Sequence, residues 1–238
     1  MTIVSRISSL VGGEESGVPY FRRRRFAIFL DLIDSVLAVR ENCRIIDIGG
    51  EPEYWRYVGD LLGDRRIHVT FVNQMTFDVS DDRYVSVIGD ARHLESFADM
   101  SFDVVHSNSV IEHVGRWSDM AAMAQEVQRL APSYFVQTPY FWFPIEPHCS
   151  SAFFHWMPES IRVRMLMRRP RGQWGKAPDV STAMRQIQSA VLLDYQMMRT
   201  LFPDATICRE RILGVTKSLI AVRKDPRSQK RDETGARP

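Results

Sequence analysis

The feature that most constrains this chain is an apolar run that ends in an acidic residue and two glycines. The sequence Arg-Ile-Ile-Asp-Ile-Gly-Gly occupies residues 44–50. A strand of a parallel sheet is buried on both faces and is therefore typically a continuous apolar run. Glycines directly after such a strand allow a tight turn and a close approach to a ligand. The stretch predicts the first strand and ligand loop of an open α/β sheet, although a plain β-turn explains it equally well.

Composition narrows the class of protein. The 238 residues suffice for one α/β domain with a sizeable core, and 45% apolar with 25% charged residues is typical of an ordinary globular chain. A net charge of +2 argues neither for nor against a charged partner, and we expect no nucleic-acid partner. The odd, scattered cysteines Cys43, Cys149 and Cys208 favour a reducing compartment. With no secretory pattern and no run near about 18 apolar residues, we expect a cytoplasmic protein without a membrane span.

Strand and helix patterns alternate along most of the chain. Apolar runs predict further strands at 67–72, 84–88, 102–107 and 134–137, and helical periodicity predicts helices at 54–62 and 117–130. Strands that alternate with helices indicate right-handed crossovers and a parallel sheet. A helix is predicted at 181–201. Two final strands, at 206–212 and 216–222 around Gly214, predict an antiparallel hairpin.

The two ends of the chain differ in character from this domain. Residues 1–19 are rich in glycine and small polar residues and predict a flexible arm. A helix then opens at the arginines 22–25, and its apolar face is predicted to carry Phe26, Phe29, Leu30, Ile33 and Leu37. The arginine run suits phosphate or acidic lipid, but its shortness favours a solvated helix start. Residues 224–238 are polar and charged and predict a disordered tail.

The segment 139–180 interrupts the alternation of strands and helices. It is dense in proline, aromatic and methionine residues and includes a basic run between Arg162 and Arg171. Connections of this length between α/β elements are uncommon and tend to be functional lids. We therefore expect a mobile, aromatic-rich substrate lid inserted after the fifth strand.

Three motifs stand in a fixed order at the predicted strand ends. They are Asp-Ile-Gly-Gly at 47–50, Gly-Asp-Ala-Arg-His-Leu at 89–94, and the run from Phe102 to His113. Together they resemble the class I S-adenosylmethionine-dependent methyltransferases of the small-molecule, type 11-like group, over residues 20–223. The resemblance implies a Rossmann-like, seven-stranded, mostly parallel sheet with one antiparallel strand and helices on both faces.

The resemblance also implies a cofactor, S-adenosylmethionine, and a set of site residues. It places Asp47, Gly49 and Gly50 at the methionine part, Asn73 at the ribose, Asp90 and Ala91 at the adenine, Asn108 and Ser109 at the sulfonium, and His113 at the rim of the substrate pocket. Two positions depart from the family pattern. Glu51 and Glu53 replace the second and third glycines of the loop, and an amide, Asn73, replaces the usual ribose carboxylate.

Two residues of the inserted segment, together with His113, are candidates for catalysis. His148 is suited to take a proton from an acceptor hydroxyl, and Glu146 to orient it or act as base itself. A purely structural role for both residues, holding the lid by hydrogen bonds, is an equal alternative. We expect no metal site, because His148, Cys149 and His155 have no second cluster with ligand spacing.

The expected function is methyl transfer from S-adenosylmethionine to a small-molecule acceptor, at oxygen. The aromatic and basic content of the inserted segment favours an amphiphilic or anionic acceptor. One alternative is a non-catalytic or weakly active nucleoside-cofactor-binding protein of the same fold. Another is a nicotinamide-dependent oxidoreductase, which is disfavoured because a full Gly-x-Gly-x-x-Gly loop is missing. The sequence indicates no oligomeric state.

Overall fold

The structure is a computed structural model that describes residues 20–225. The flexible arm expected at 1–19 lies outside the described residues, as does most of the tail expected from 224. Lys224, at the start of that tail, forms an ion pair with Asp31. Within residues 20–225, no helix has both the length and the apolar character needed to cross a membrane.

Nine strands are present in the described chain. They are β1 (Cys43–Ile48), β2 (Ile67–Asn73), β3 (Tyr84–Ile88), β4 (Val104–Asn108), β5 (Ser133–Pro139), β6 (Ile145–Glu146), β7 (Ser151–Ala152), β8 (Thr206–Ile212) and β9 (Val215–Arg223). Seven of them form one sheet in the order β3-β2-β1-β4-β5-β9-β8, and β6 pairs only with β7. Because β9 runs antiparallel to β5 and β8, the sheet has the single antiparallel strand that the resemblance implies. The strand order reverses between β1 and β4, where a ligand crevice forms in such sheets.

Helices cover both faces of the sheet. Their bounds are α1 (Tyr20–Leu37), α2 (Pro52–Tyr57), α3 (Gly59–Leu62), α4 (Trp117–Leu130), α5 (Glu159–Arg168), α6 (Val180–Gln188) and α7 (Tyr195–Leu201). Neighbouring residues of β1 point to opposite faces. Ile45 packs in the core with Phe29 of α1, and Ile46 packs in the core with Met123 of α4. This two-sided burial explains the continuous apolar run in the sequence.

The segment after β5 is a folded unit with a core of its own, which we call the cap (residues 140–188). Its buried residues include Cys149, Phe154, Leu166, Ala183 and Ile187. The cap contains the small β6–β7 hairpin and the packed pair α5 and α6. The inserted element expected from the sequence is therefore present and compactly folded, and its mobility stays a prediction.

The single helix predicted at 181–201 is wrong, because the chain forms two helices, α6 and α7, with a break at 189–194. The backbone of this break is used for tertiary hydrogen bonds. Val191 donates its N–H to the carbonyl of Glu112, and the carbonyl of Leu193 accepts from Phe141. Asp194 then caps α7 by accepting the N–H of Met197 at 2.9 Å. Local periodicity carries no information on these partners, since they are distant in sequence.

Candidate functional site

Two positions of the loop after β1, Gly49 and Gly50, have no room for a side chain. Gly49 has a φ of 75°, in the left-handed region, and a Cβ at this position would lie 2.3 Å from a methyl group of Val110. A Cβ on Gly50 would lie 2.1 Å from a carboxylate oxygen of Asp47. The two glycines therefore allow the loop to lie directly on the neighbouring side chains, with its backbone amides at the carboxyl edge of the sheet.

Asp47 is buried beneath this loop and bound on both oxygens. It is paired in register with His106 on the adjacent strand β4, and the imidazole Nδ1 donates to Oδ1 at 2.7 Å. The indole Nε1 of Trp55 donates to Oδ2, also at 2.7 Å. The expected contact of Asp47 with the methionine part of the cofactor remains a prediction. What the structure shows is a carboxylate that fixes the loop from below. Its partners His106 and Trp55 were not singled out from sequence.

The ends of β2 and β3 carry the residues expected at the ribose and adenine. The amide of Asn73 donates to the carbonyl of Gly50 at 3.2 Å, so the end of β2 is tied to the glycine loop. Asp90 follows β3 and receives three hydrogen bonds from the guanidinium of Arg92, at 2.9 Å, 3.1 Å and 2.6 Å. These bonds lower the pKa of Asp90 to about 2. Ala91 packs against the hydrophobic core beside it.

The ends of β4 and β5 are joined by an arginine from α1. Asn108 and Gln137 are in register, and one nitrogen, Nη1 of Arg25, donates to both side-chain oxygens at 2.9 Å and 2.7 Å. Ser109 has a φ of 60° and donates its hydroxyl to Gln137 at 2.9 Å. The prediction of a solvated arginine run is wrong for Arg25. Its side chain is 12% exposed and forms an ion pair with Glu210 at 3.1 Å.

Beyond the sheet edge, the three predicted catalytic residues form one hydrogen-bonded chain. Nδ1 of His148 donates to the carboxylate of Glu146 at 2.7 Å. Nε2 of His148 lies 3.1 Å from Nε2 of His113. Nδ1 of His113 donates to the carbonyl of Ser189 at 2.7 Å. The cap thus brings Glu146 and His148 to the 3₁₀ turn Ile111–His113 that follows β4.

The pKa values of these hydrogen-bonded residues are set by burial and by neighbouring groups. Burial alone would lower the pKa of His148, but the carboxylate of Glu146 raises it above the ordinary value. Burial would likewise raise the pKa of Glu146, but His148 and the N–H of Cys149 lower it. Glu146 therefore stabilises the protonated form of His148, and His148 stabilises the ionised form of Glu146. Glu112, fully buried beside them, has its pKa raised by burial to about 7.

A cavity of about 470 Å³ lies between the cap and the chain break at 189–194. It is lined by apolar side chains that include Phe141, Phe154 and Trp174, and by two cations, Arg116 and Arg162. The carboxylates of Glu146 and Glu159 line it as well. Of the site residues expected from the sequence, Glu146 alone lines this cavity. His113, His148 and the residues expected at the cofactor do not.

Comparison with known proteins gives one family match. Residues 64–133, from β2 to the start of β5, match a family model described as a methyltransferase domain. The matched region includes neither the glycine loop nor the cap. No curated protein matches the chain.

Several solved structures share the fold. Phosphoethanolamine N-methyltransferase 2 of Haemonchus contortus, in complex with S-adenosyl-L-methionine, is 14% identical with a TM-score of 0.51, over 87% of this chain and 42% of that one. The same enzyme with phosphomonomethylethanolamine and S-adenosylhomocysteine has a TM-score of 0.50. The chain thus spans less than half the length of that enzyme. A putative methyltransferase of Haloferax volcanii, solved with the activator Trm112, is 15% identical with a TM-score of 0.48, over 87% of this chain and 94% of that one.

The family match covers less than a third of the chain. Together with the sheet order, it confirms the resemblance to the class I S-adenosylmethionine-dependent methyltransferases. The same match supports S-adenosylmethionine as the cofactor.

Proposed function

We propose that the chain transfers the methyl group of S-adenosylmethionine to an oxygen atom of a small-molecule acceptor. On the cofactor side, the backbone of Gly49 and Gly50 takes the methionine part, Asn73 the ribose, Asp90 and Ala91 the adenine, and Asn108 and Ser109 the sulfonium. Asp47 acts by holding the glycine loop. The proposal draws on the placement of all these residues at the carboxyl edge of one sheet.

The observation that carries oxygen as the target is the chain Glu146–His148–His113 beside the cavity. A hydroxyl attacks the methyl carbon, the new C–O bond forms as the C–S bond breaks, and the hydroxyl proton must leave. His148 is the proton acceptor in this proposal, and Glu146 stabilises the resulting imidazolium. Alignment of the reacting atoms at about 3–3.5 Å and exclusion of water supply the rest of the rate.

The cavity favours an acceptor that has both an apolar part and an anionic group. Aromatic rings of Phe141, Phe154 and Trp174 provide the apolar wall. Arg162 is 17% exposed, its Glu159 partner lies 3.8 Å away, and its Nε is buried without a hydrogen-bond partner in the part of the chain described. A carboxylate or phosphate on the acceptor would pair with this guanidinium.

The experiment is a transfer assay with tritiated S-adenosylmethionine over fractionated small molecules from the source organism. His148→Ala should lower turnover by roughly 100-fold or more, with the affinity for S-adenosylhomocysteine unchanged. His68→Ala is the control, because that imidazole is exposed on β2. A loss below about threefold would assign His148 to cap packing.

One structural observation favours the second candidate, a non-catalytic or weakly active cofactor-binding protein. Asp47 and Asn73 already have hydrogen-bond partners inside the protein. Calorimetry with S-adenosylhomocysteine separates the candidates. Tight binding without transfer to any fraction would support the binding protein, whereas transfer would exclude it.

A further inference from the structure

The hydrogen-bonded chain of His113 and His148 has a neighbour that proton transfer does not use. Glu112 lies in the same 3₁₀ turn as His113 and is fully buried. Its Oε2 accepts from the hydroxyl of Thr138 at 3.0 Å. Its Oε1 is buried with no hydrogen-bond partner among residues 20–225. A buried polar atom without a partner is costly and requires an explanation.

The two imidazoles face each other through their Nε2 atoms. Nδ1 of His113 is held by a backbone carbonyl, and Nδ1 of His148 is held by the carboxylate of Glu146. Each ring therefore presents Nε2 to the other, 3.1 Å apart. A histidine that binds a metal through one nitrogen almost always donates the other N–H to a carbonyl or carboxylate. Both histidines have that arrangement here.

We propose that Glu112, His113 and His148 bind one divalent transition-metal cation, with zinc as the type. Their donor atoms lie within 4.8 Å of one another. Two nitrogens bound to one tetrahedral ion at about 2.0–2.1 Å are roughly 3.3 Å apart. The observed 3.1 Å between the Nε2 atoms is close to this spacing.

The ligand types agree with the same class of ion. Two imidazoles and one carboxylate form the ligand set of catalytic zinc sites, which leave a fourth position open. Imidazole favours transition metals over magnesium or calcium. Oε1 of Glu112, the atom without a partner, would supply the third ligand, and Thr138 holds the other oxygen in place.

The expectation of no metal site rested on residues 148–155 alone. The proposed ligands come from two segments, because His113 and His148 are 35 residues apart and meet only when the cap folds against the sheet edge. Cys149 and His155 are not part of the set. The thiol of Cys149 is buried, and Nε2 of His155 is bonded to the carbonyl of Phe141 at 2.7 Å.

The cation would also change the activation of the acceptor, and this role rests on the proposed function. Glu146 and Trp174, which bond to or stack on His148, line the cavity. An acceptor oxygen at the open fourth position would lose its proton more readily, as metal-bound water does. Nε2 of His148 can bind either a proton or the cation, but not both. The acceptor is therefore activated either by His148 as proton acceptor or by the bound cation.

The test measures binding of the metal alone, without cofactor or acceptor. Full-length protein without a polyhistidine tag is stripped with a chelator and titrated with zinc chloride by calorimetry. We expect one zinc per chain. His148→Ala and Glu112→Gln should each lower the affinity for zinc by about 100-fold or more, since even residues that only support a metal ligand contribute 10–100-fold to metal affinity. His68→Ala, at an exposed imidazole, should bind as the wild type does. Cobalt should give the visible absorption of a four-coordinate site, which Glu112→Gln lacks.

The results separate this proposal from the proposed function. Zinc binding that is equally weak in wild type, His148→Ala and the conservative Glu112→Gln would overturn the metal site, whatever the transfer activity. Transfer that is lost after chelation and restored by zinc would support the role of the cation. Transfer that persists in chelated protein would overturn that role and leave proton acceptance to His148.

Discussion

A single methyl group at Gly50 should disturb both the loop and the core beneath it. The added Cβ would lie 2.1 Å from Oδ2 of Asp47, well inside van der Waals contact. Asp47 cannot move freely, because His106 and Trp55 hold its two oxygens at 2.7 Å each. Sequence alone predicts only a loss of cofactor binding for a side chain at this position. The structure adds a loss of stability.

The size of the effect follows from what must be displaced. Either the loop backbone or the Asp47 carboxylate has to shift, and a shift of the carboxylate breaks at least one buried hydrogen bond to a charged group. Such a bond contributes about 1.5–3 kcal/mol. For a chain of this size 1 kcal/mol corresponds to roughly 2–4 °C. We therefore expect Gly50→Ala to lower the melting temperature by about 3–12 °C.

Thermal unfolding followed by circular dichroism gives the first measurement, and calorimetry with S-adenosylhomocysteine the second, where we expect at least about tenfold weaker binding. Gly59→Ala is a matched control, because a Cβ there meets nothing within 4 Å and α3 favours alanine over glycine. Its melting temperature should be unchanged or higher. A Gly50→Ala protein that melts within about 2 °C of wild type and binds normally would refute the contact between Gly50 and Asp47.

Two further predictions test the adenine contact and the cap. Asp90→Ala should weaken the binding of S-adenosylhomocysteine by about 1–3 kcal/mol. Asp81→Ala, which removes a similar ion pair with Arg83, should leave this binding unchanged. Equal affinities of the two variants would show that Asp90 is not part of the site. In hydrogen exchange, the cap should exchange faster than β1 in the free protein and gain protection when cofactor and acceptor are both present. Exchange as slow in the free cap as in β1 would contradict a mobile lid.

The sheet could be predicted closely because its signals are local. The strand at Tyr84–Ile88 and the helix at Trp117–Leu130 have the predicted bounds, since each apolar pattern ends at polar or turn residues. The break at 189–194 could not be predicted in this way. Val191 and Leu193 continue an apolar pattern, but their backbone groups bond to the 3₁₀ turn and to the cap.

The candidate site likewise contains some residues that the sequence predicts and others that it does not. Residues at strand ends must converge once the sheet is parallel, so the cofactor side follows from the topology. Burial of Asp47 was not predictable, because it depends on His106 of a neighbouring strand. Glu112 and His148 are likewise brought together by the fold of the cap. Spacing in the sequence shows ligand sets only when they come from one segment.

Arg25 shows how far a helix at the start of the domain contributes to the site. Its guanidinium pairs with Glu210, whose side chain is 4% exposed, and also holds Asn108. Removing one partner of a buried ion pair costs about 3–5 kcal/mol, because the other charge stays buried. Arg25→Met should therefore lower the free energy of unfolding by roughly that amount. It should also lower the affinity for S-adenosylhomocysteine, because Asn108 loses its hydrogen-bond donor. Arg24→Met, at an exposed position on the same helix, is the control.

A double variant separates the structural role of Arg25 from its role in the site. Glu210→Gln removes the buried charge but keeps an oxygen for the hydroxyl of Ser218, which donates to Glu210 at 2.6 Å. Combined with Arg25→Met, it should recover most of the lost stability, since no charge is left without a partner. The affinity for S-adenosylhomocysteine should stay low, because Asn108 still lacks its donor. Recovery of both stability and affinity would show that Arg25 supports the fold alone.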